Sequence, residues 1–264
     1  MQLSSQQFDS GCWCKIKMHV IEGVVALKGI LKETRDGEVV NLYHNTATAN
    51  FKKKTAQGAA TGSFNAINKA RLNWSGGSAT VTPTKIAGGD GAHDYVTYSF
   101  EWKNETGASK TLTSLDIGYD LGGGGEVIYC QKTGLSKEVA DDETVKYTWT
   151  ITCAYSSGGV TQAYRQQLAY MIYGGSFSTP NKIDFYSTVG SNYETATLED
   201  GGDGVETYHQ WIATYIAPAG GQTIDIIYFG YYSGGMTTYS EHDITNKALD
   251  ENDELEAHVK ITHG

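Results

Sequence analysis

The tetrapeptide Gly-Gly-Asp-Gly occurs at 88–91 and again at 201–204, and it is the first place in this 264-residue chain to look for chemistry. An aspartate between glycines can ligate Ca2+, which takes about six to eight oxygens. The nearby acids do not recur, however: Asp94 follows the first loop and Glu206 the second. A tight turn, with glycine at positive φ and the aspartate bonded to its own backbone, accounts for the same residues. Seven histidines (His19, His44, His93, His209, His242, His258 and His263) show no metal-ligand spacing. Among the cysteines Cys12, Cys14, Cys130 and Cys153, only Cys12-Trp13-Cys14 forms a close pair. A zinc site needs two such pairs, so the four read as reduced structural thiols. Cys130 and Cys153 fall in two expected strands that are able to meet.

The Gly-rich run "LGGGGE" (121–126) lacks the Gly-Lys-Ser/Thr ending of a phosphate loop, and no helix follows it. It reads as a flexible hairpin tip. Neither Gly-x-Ser-x-Gly nor His-Glu-x-x-His is present. Paired glycosidase carboxylates need no local motif, but no acid stands apart from the loop acids. These residues assign no catalytic, cofactor-binding or metal-ligating position. No cofactor is expected, and the chain reads as a non-enzyme.

The elements behind these residues are organised by a repeat. "GSFNAINKA" (62–70) returns as "GSFSTPNKI" (175–183), 113 positions on. The same offset carries Thr48 to Thr161, Phe51 to Tyr164, Lys52 to Arg165 and the first Gly-Gly-Asp-Gly to the second. Further along the offset shrinks to 112 and then 110. "TLTSLDIGY" meets "TIDIIYFGY", and Val145, Tyr147, Trp149 and Ile151 meet Leu255, Ala257, Val259 and Ile261. This is the pattern of an internal duplication with domain-sized units. The residues divide into an N-terminal extension with strands (1–35), copy one (36–153) and copy two (154–264).

Within copy one the sequence predicts a hairpin at Asp36-Gly37 and a helix over about 48–60, capped from Asn45-Thr46. Strands are expected at 80–86, 95–102, 111–119, 126–130 and 144–152. The alternation at Val145, Tyr147, Trp149 and Ile151 marks a strand with one buried face. The second helix is expected at 161–173. Lys52-Lys53-Lys54 falls on the first helix as a solvated face. The expected fold is mainly β: two tandem antiparallel β-sandwich, jelly-roll-like units, each with one short helix. The extension has no duplicated counterpart, so its strand-like segments "KIKMHVI" and "VVALKGIL" must add to a sheet of this chain or of a neighbouring copy.

Composition narrows the function classes. A formal charge of −10 without a basic face argues against nucleic acid. No apolar run approaches a membrane span, and the N-terminus "MQLSSQQFDSGCWC" lacks the pattern of a secretory signal. The chain is expected to be made in a cytoplasm.

One resemblance adds to this. In each copy a helix follows Asn-Thr or its counterpart, and a strand ends in "DIGYD" or "YFGYY". A Gly-Gly turn, a Tyr-bearing strand and an acidic pair then lead to a closing strand, "VKYTWTIT" in copy one. This order resembles a β-sandwich domain of tailed-virus (bacteriophage or archaeal virus) structural proteins, of the tail-fibre, baseplate and appendage type. Copy two departs from it with Val259 where the closing strand has Trp and with "HDITNKALDEN" in the Lys-containing segment before that strand. The resemblance implies a non-enzymatic virion component (tail, baseplate, fibre or capsid-decorating subunit). Its partners would be copies of itself as a homo-oligomer and other virion proteins. It would assemble in the host cytoplasm and become extracellular with the particle. Alternatives are a carbohydrate-binding host-adhesion module, with host glycans as partners, and a double jelly-roll-like capsid subunit.

Overall fold

The structure is a computed structural model that describes residues 3–7, 13–35 and 38–264, with side chains from residue 18 onward except 35, 46 and 245. Its longest element is β2 (Trp13–Arg35), one strand where two short ones were expected. Ile21, Val25, Leu27 and Leu31 alternate inward along it and are buried. Gly23 falls on that inward face instead of turning the chain, because a Cβ there would meet Val160 Cγ2 at 2.6 Å. Strand β2 runs through both halves of the molecule. Residues 16–25 lie parallel to β17 (Glu254–His263), and residues 24–34 lie antiparallel to β10 (Thr144–Ser157). Its start also pairs with β1 (Leu3–Gln7) and its end with β3 (Glu38–Ala47). Arg35 sits opposite Glu38, so the two residues of the expected hairpin turn, Asp36 and Gly37, lie outside the described residues. The extension therefore adds to this chain's own sheets.

In the first half, β4 (Lys69–Trp74) and β5 (Gly77–Val81) form a hairpin that continues through β8 (Lys110–Tyr119) to β9 (Val127–Val139). Facing it are β6 (Thr84–Gly88), β7 (Tyr95–Lys103), β10 and the second part of β2. Strand β3 joins the two layers by pairing with β2 and with the start of β9. The second half repeats the plan. A four-stranded sheet holds β12 (Tyr193–Thr195), β11 (Lys182–Ser187), β15 (Gln222–Tyr232) and β16 (Met236–Leu249). It faces β13 (Thr197–Asp200), β14 (Tyr208–Ile216), β17 and the first part of β2. The molecule is thus mainly β, of β-sandwich class. Successive strands pair as hairpins, β4–β5, β6–β7 and β8–β9, and the chain crosses between layers in between.

The strand 80–86 expected from sequence is two strands in opposite layers. Pro83 lacks the N–H that a ladder needs and bends the chain between them. The inward phase of the closing strands is as expected: Val145, Tyr147, Trp149 and Ile151 are buried, as are Leu255, Ala257, Val259 and Ile261. Helix α1 (Ala49–Thr61) is capped by Thr48, whose Oγ1 accepts from the Phe51 N–H at 3.1 Å. Helix α2 (Gln162–Tyr173) is capped by Thr161 in the same way. The caps expected at Asn45-Thr46 lie instead in β3, where pairing with β2 claims their backbone.

The repeated phrases hold the same contacts in both halves. Thr48 Oγ1 donates to Ile128 O and Thr161 Oγ1 to Thr238 O, each at 2.6 Å. Tyr129 OH reaches the carbonyl of Asn65, and Tyr239 OH that of Ser178. Asn68 Oδ1 accepts from the Asp120 N–H, and Asn181 Oδ1 from the Tyr232 N–H. Lys69 Nζ and Lys182 Nζ donate to Thr82 and Thr195, each at 3.2 Å. The polar words in "GSFNAINKA" are therefore strand-end fasteners, and the phenylalanine packs under them against Tyr129, or Tyr239 in the second half.

Each Gly-Gly-Asp-Gly loop touches the helix of the other half. Gln57 on α1 donates to Gly202 O at 3.4 Å. Gln166 on α2 donates to Ala92 O at 2.6 Å, and Arg165 on α2 pairs with Asp94 at 2.8 Å. Tyr98 OH donates to Ile172 O at the end of α2. One hydrophobic core runs through both halves as a result.

Candidate functional site

The most organised polar constellation lies inside the second half. Tyr164 on α2, His209 and Trp211 on β14, and His263 at the end of β17 meet there. Trp211 Nε1 can only donate, and it does so to His209 Nδ1 at 2.9 Å. His209 Nε2 must then carry the proton and donate to the Tyr164 oxygen at 2.7 Å. The Tyr164 hydroxyl in turn donates to His263 Nε2 at 3.1 Å. That leaves the proton of His263 on Nδ1, which is buried without a partner. Burial drives the His209 pKa down to about 3. Burial, with His209 second, holds His263 well below its ordinary value. Burial also pushes the Tyr164 hydroxyl well above its ordinary value. All three side chains are 0 to 1% exposed, so no substrate reaches them. The arrangement fixes tautomers and orders the core.

No position of this cluster was singled out from sequence, because His209 and His263 are 54 residues apart. A signal existed nonetheless. His209 is in phase with Trp211, Ala213 and Tyr215, and His263 with Val259 and Ile261, all inward. A histidine on the buried phase of a strand requires a polar partner.

The other residues weighed for chemistry are engaged in local structure. Asp90 Oδ1 accepts from the Ala92 N–H at 3.0 Å, and Asp203 Oδ1 from the Val205 N–H at 2.9 Å. Gly88 and Gly201, which open the two loops, both have positive φ. A hydrogen bond from His93, with the Ala92 N–H second, lowers the Asp90 pKa to about 2. Among the described residues no group of three His, Cys, Asp or Glu is placed to hold a metal. The "LGGGGE" tip is tied by Glu126 and the preceding Asp120: Asp120 Oδ2 accepts from Gly125 N and Glu126 Oε2 from Gly122 N. Burial opposes charge on His258, but hydrogen bonds to Glu256 and Glu199 outweigh it and raise its pKa. Cys130 and Cys153 are both buried and free, and burial pushes the Cys130 thiol up to about 12. Cys12 and the side chain of Cys14 lie outside the described residues. The Lys52–Lys54 run is on α1, where Lys54 bonds Gln57.

A shallow depression of about 350 Å³ is lined by Lys28, His44, Asn45 and Lys52, and one of about 420 Å³ by Thr84, Ser99, Glu101 and Lys146. No described helix is long and apolar enough to cross a membrane. The chain matches no family model, and no curated protein and no solved structure is significantly similar to it.

Proposed function

We propose that the chain is a non-enzymatic structural subunit of a virus particle, built by duplication of one sandwich unit. It assembles with copies of itself and with other virion proteins through its sandwich surfaces. The observation that carries this reading is how the two halves are joined. Strand β2 passes through both, and each Gly-Gly-Asp-Gly loop clasps the opposite helix, so the repeat makes one block whose polar motifs are spent on holding shape. The closing-strand pattern of the first half supports the virion assignment. Assembly is supported by the sheet margins. Strand β3 pairs with β9 only through Thr46 and Ala47, and it exposes Val39, Val40 and Leu42 near the end of its hairpin. Open edges with aliphatic side chains are places where another strand can add.

The test is quantitative mass spectrometry of virus particles purified from cultures that express the gene. This chain is expected at a fixed ratio to the major capsid protein, and the isolated chain is expected to assemble in light scattering. Particles that lack the chain would overturn the proposal.

A further inference from the structure

The outer face of the four-stranded sheet in the second half differs from the matching face of the first half. Alternation along β11 sends Ile183 and Phe185 into the core and places Asp184 and Tyr186 on the outer phase, where Tyr186 is exposed and Asp184 is covered, its Oδ1 accepting from the Asn192 N–H. Asp184 is opposite Tyr193 of β12 on one side and Tyr228 of β15 on the other, and Tyr228 is opposite Glu241 of β16. Tyr232 closes the row: its ring is 4.9 Å from that of Tyr193, and the Tyr186 and Tyr228 rings are 5.9 Å apart at 73°. Tyr186, Tyr193 and Tyr232 are between 37% and 39% exposed.

The equivalent face of the first half is closed. Arg71 takes the place of Asp184 and Asn73 that of Tyr186, 113 positions earlier, while Asp116 takes that of Tyr228, 112 earlier. The Arg71 guanidinium bonds Asp116 at 2.9 Å and Glu126 at 2.8 Å, and Asn73 bonds Ser114 and Asp116. One copy thus spends this face on internal ion pairs, while the other presents rings.

We propose that the tyrosine face binds a neutral oligosaccharide. Sugar rings carry patches of C–H beside hydroxyl groups. Tyrosine offers a rigid apolar ring with a polar tip, giving large contact area at small entropic cost. Glu241, exposed beside Tyr228, is an acceptor for sugar hydroxyls. The acids also select against other occupants. Glu241 and Asp243, both exposed, oppose phosphate and nucleic acid, and Lys182 on this face is bonded to Thr195. Ile226, half-buried, is the one aliphatic side chain placed among these rings, which disfavours an apolar protein surface. The inference stands whether or not the chain belongs to a virion.

The test titrates the full chain by calorimetry and saturation-transfer NMR with maltohexaose, cellohexaose, xylohexaose, mannohexaose and chitohexaose, and with oligolysine as a control. At least one oligosaccharide is expected to bind. Tyr193→Ala and Tyr186→Ser should each weaken that binding by about tenfold or more, with circular dichroism and melting unchanged, while Asn73→Ala in the first half leaves it intact. No binding by any of the five sugars at millimolar concentration overturns the proposal. So does sugar binding that survives both tyrosine substitutions, or binding of oligolysine alone.

Discussion

Phe51 in the first half and Tyr164 in the second occupy the same place on their helices, and each packs its ring on the tyrosine of the following sheet, Tyr129 or Tyr239. His209 and His263, which surround Tyr164, correspond by the repeat offset to Val96 and Cys153 of the first half. All six side chains are buried. The large indole has also changed strand. Trp149 faces Tyr98 in the first half, whereas Val259 faces Trp211 in the second. The backbone fasteners are common to the two halves, while the filling is free to vary if volume and hydrogen bonding are kept. Trp211 even supplies the N–H that His209 needs, whereas Trp149 Nε1 has no partner. A frame held by main-chain and strand-end bonds therefore tolerates either an apolar or a polar core.

The largest way to break this comparison is to delete residues 1–22, which removes β1 and most of the part of β2 that lies along β17. The second half should lose roughly 5 kcal/mol or more, the range of exceptional losses, and should melt before the first. A single transition at the original temperature, followed by calorimetry, would show that the extension contributes nothing.

Next in size is the indole. Trp149→Ala should cost about 3–5 kcal/mol, and Val259→Ala roughly half of that, because less volume is removed. Equal losses in urea unfolding would mean that the two closing strands are not equivalent.

The filling can be exchanged outright with Tyr164→Phe, His209→Val and His263→Cys, which copies the first half into the second. Both histidines have folded pKa values below their unfolded ones. Their contribution to stability is therefore complete above about pH 6.5 and is lost as pH falls toward the folded values, because the unfolded chain takes up the protons first. The raised His258 works in the opposite sense: its contribution is present at low pH and lost as pH rises through its folded value. The triple variant leaves His258 in place and should unfold with a smaller acid dependence between pH 6.5 and 4, by up to two protons. An unchanged slope of stability against pH would show that these imidazoles are not held neutral. Tyr164→Phe alone leaves two imidazole nitrogens unpaired and should cost about 1–3 kcal/mol.

The smallest effect concerns the clasp. Arg165 pairs with Asp94, whereas the position matching Asp94 in the second half is the uncharged Thr207. Asp94→Asn should cost about 1 kcal/mol or less, as expected of a partly exposed pair, and a thermal melt would register it as a small shift.

What the sequence alone determined was whatever depends on local period or self-similarity. The repeat showed that each half carries a helix in the same place, although the first cap, expected at Asn45-Thr46, is Thr48. The closing strands showed their buried phase because side chains alternate every second residue. The repeated offset identified which residues would do the same job twice. The tertiary structure decided what requires contacts between distant segments. It made β2 one strand shared by both halves, with Gly23 explained by the approach of Val160. It separated β5 from β6 at Pro83 and put them in opposite layers. It joined Tyr164, His209 and His263 into one relay, and turned the same outer face into ion pairs in one half and tyrosines in the other. None of these follows from spacing, because strand pairing brings together residues whose separation along the chain carries no information about their distance in space.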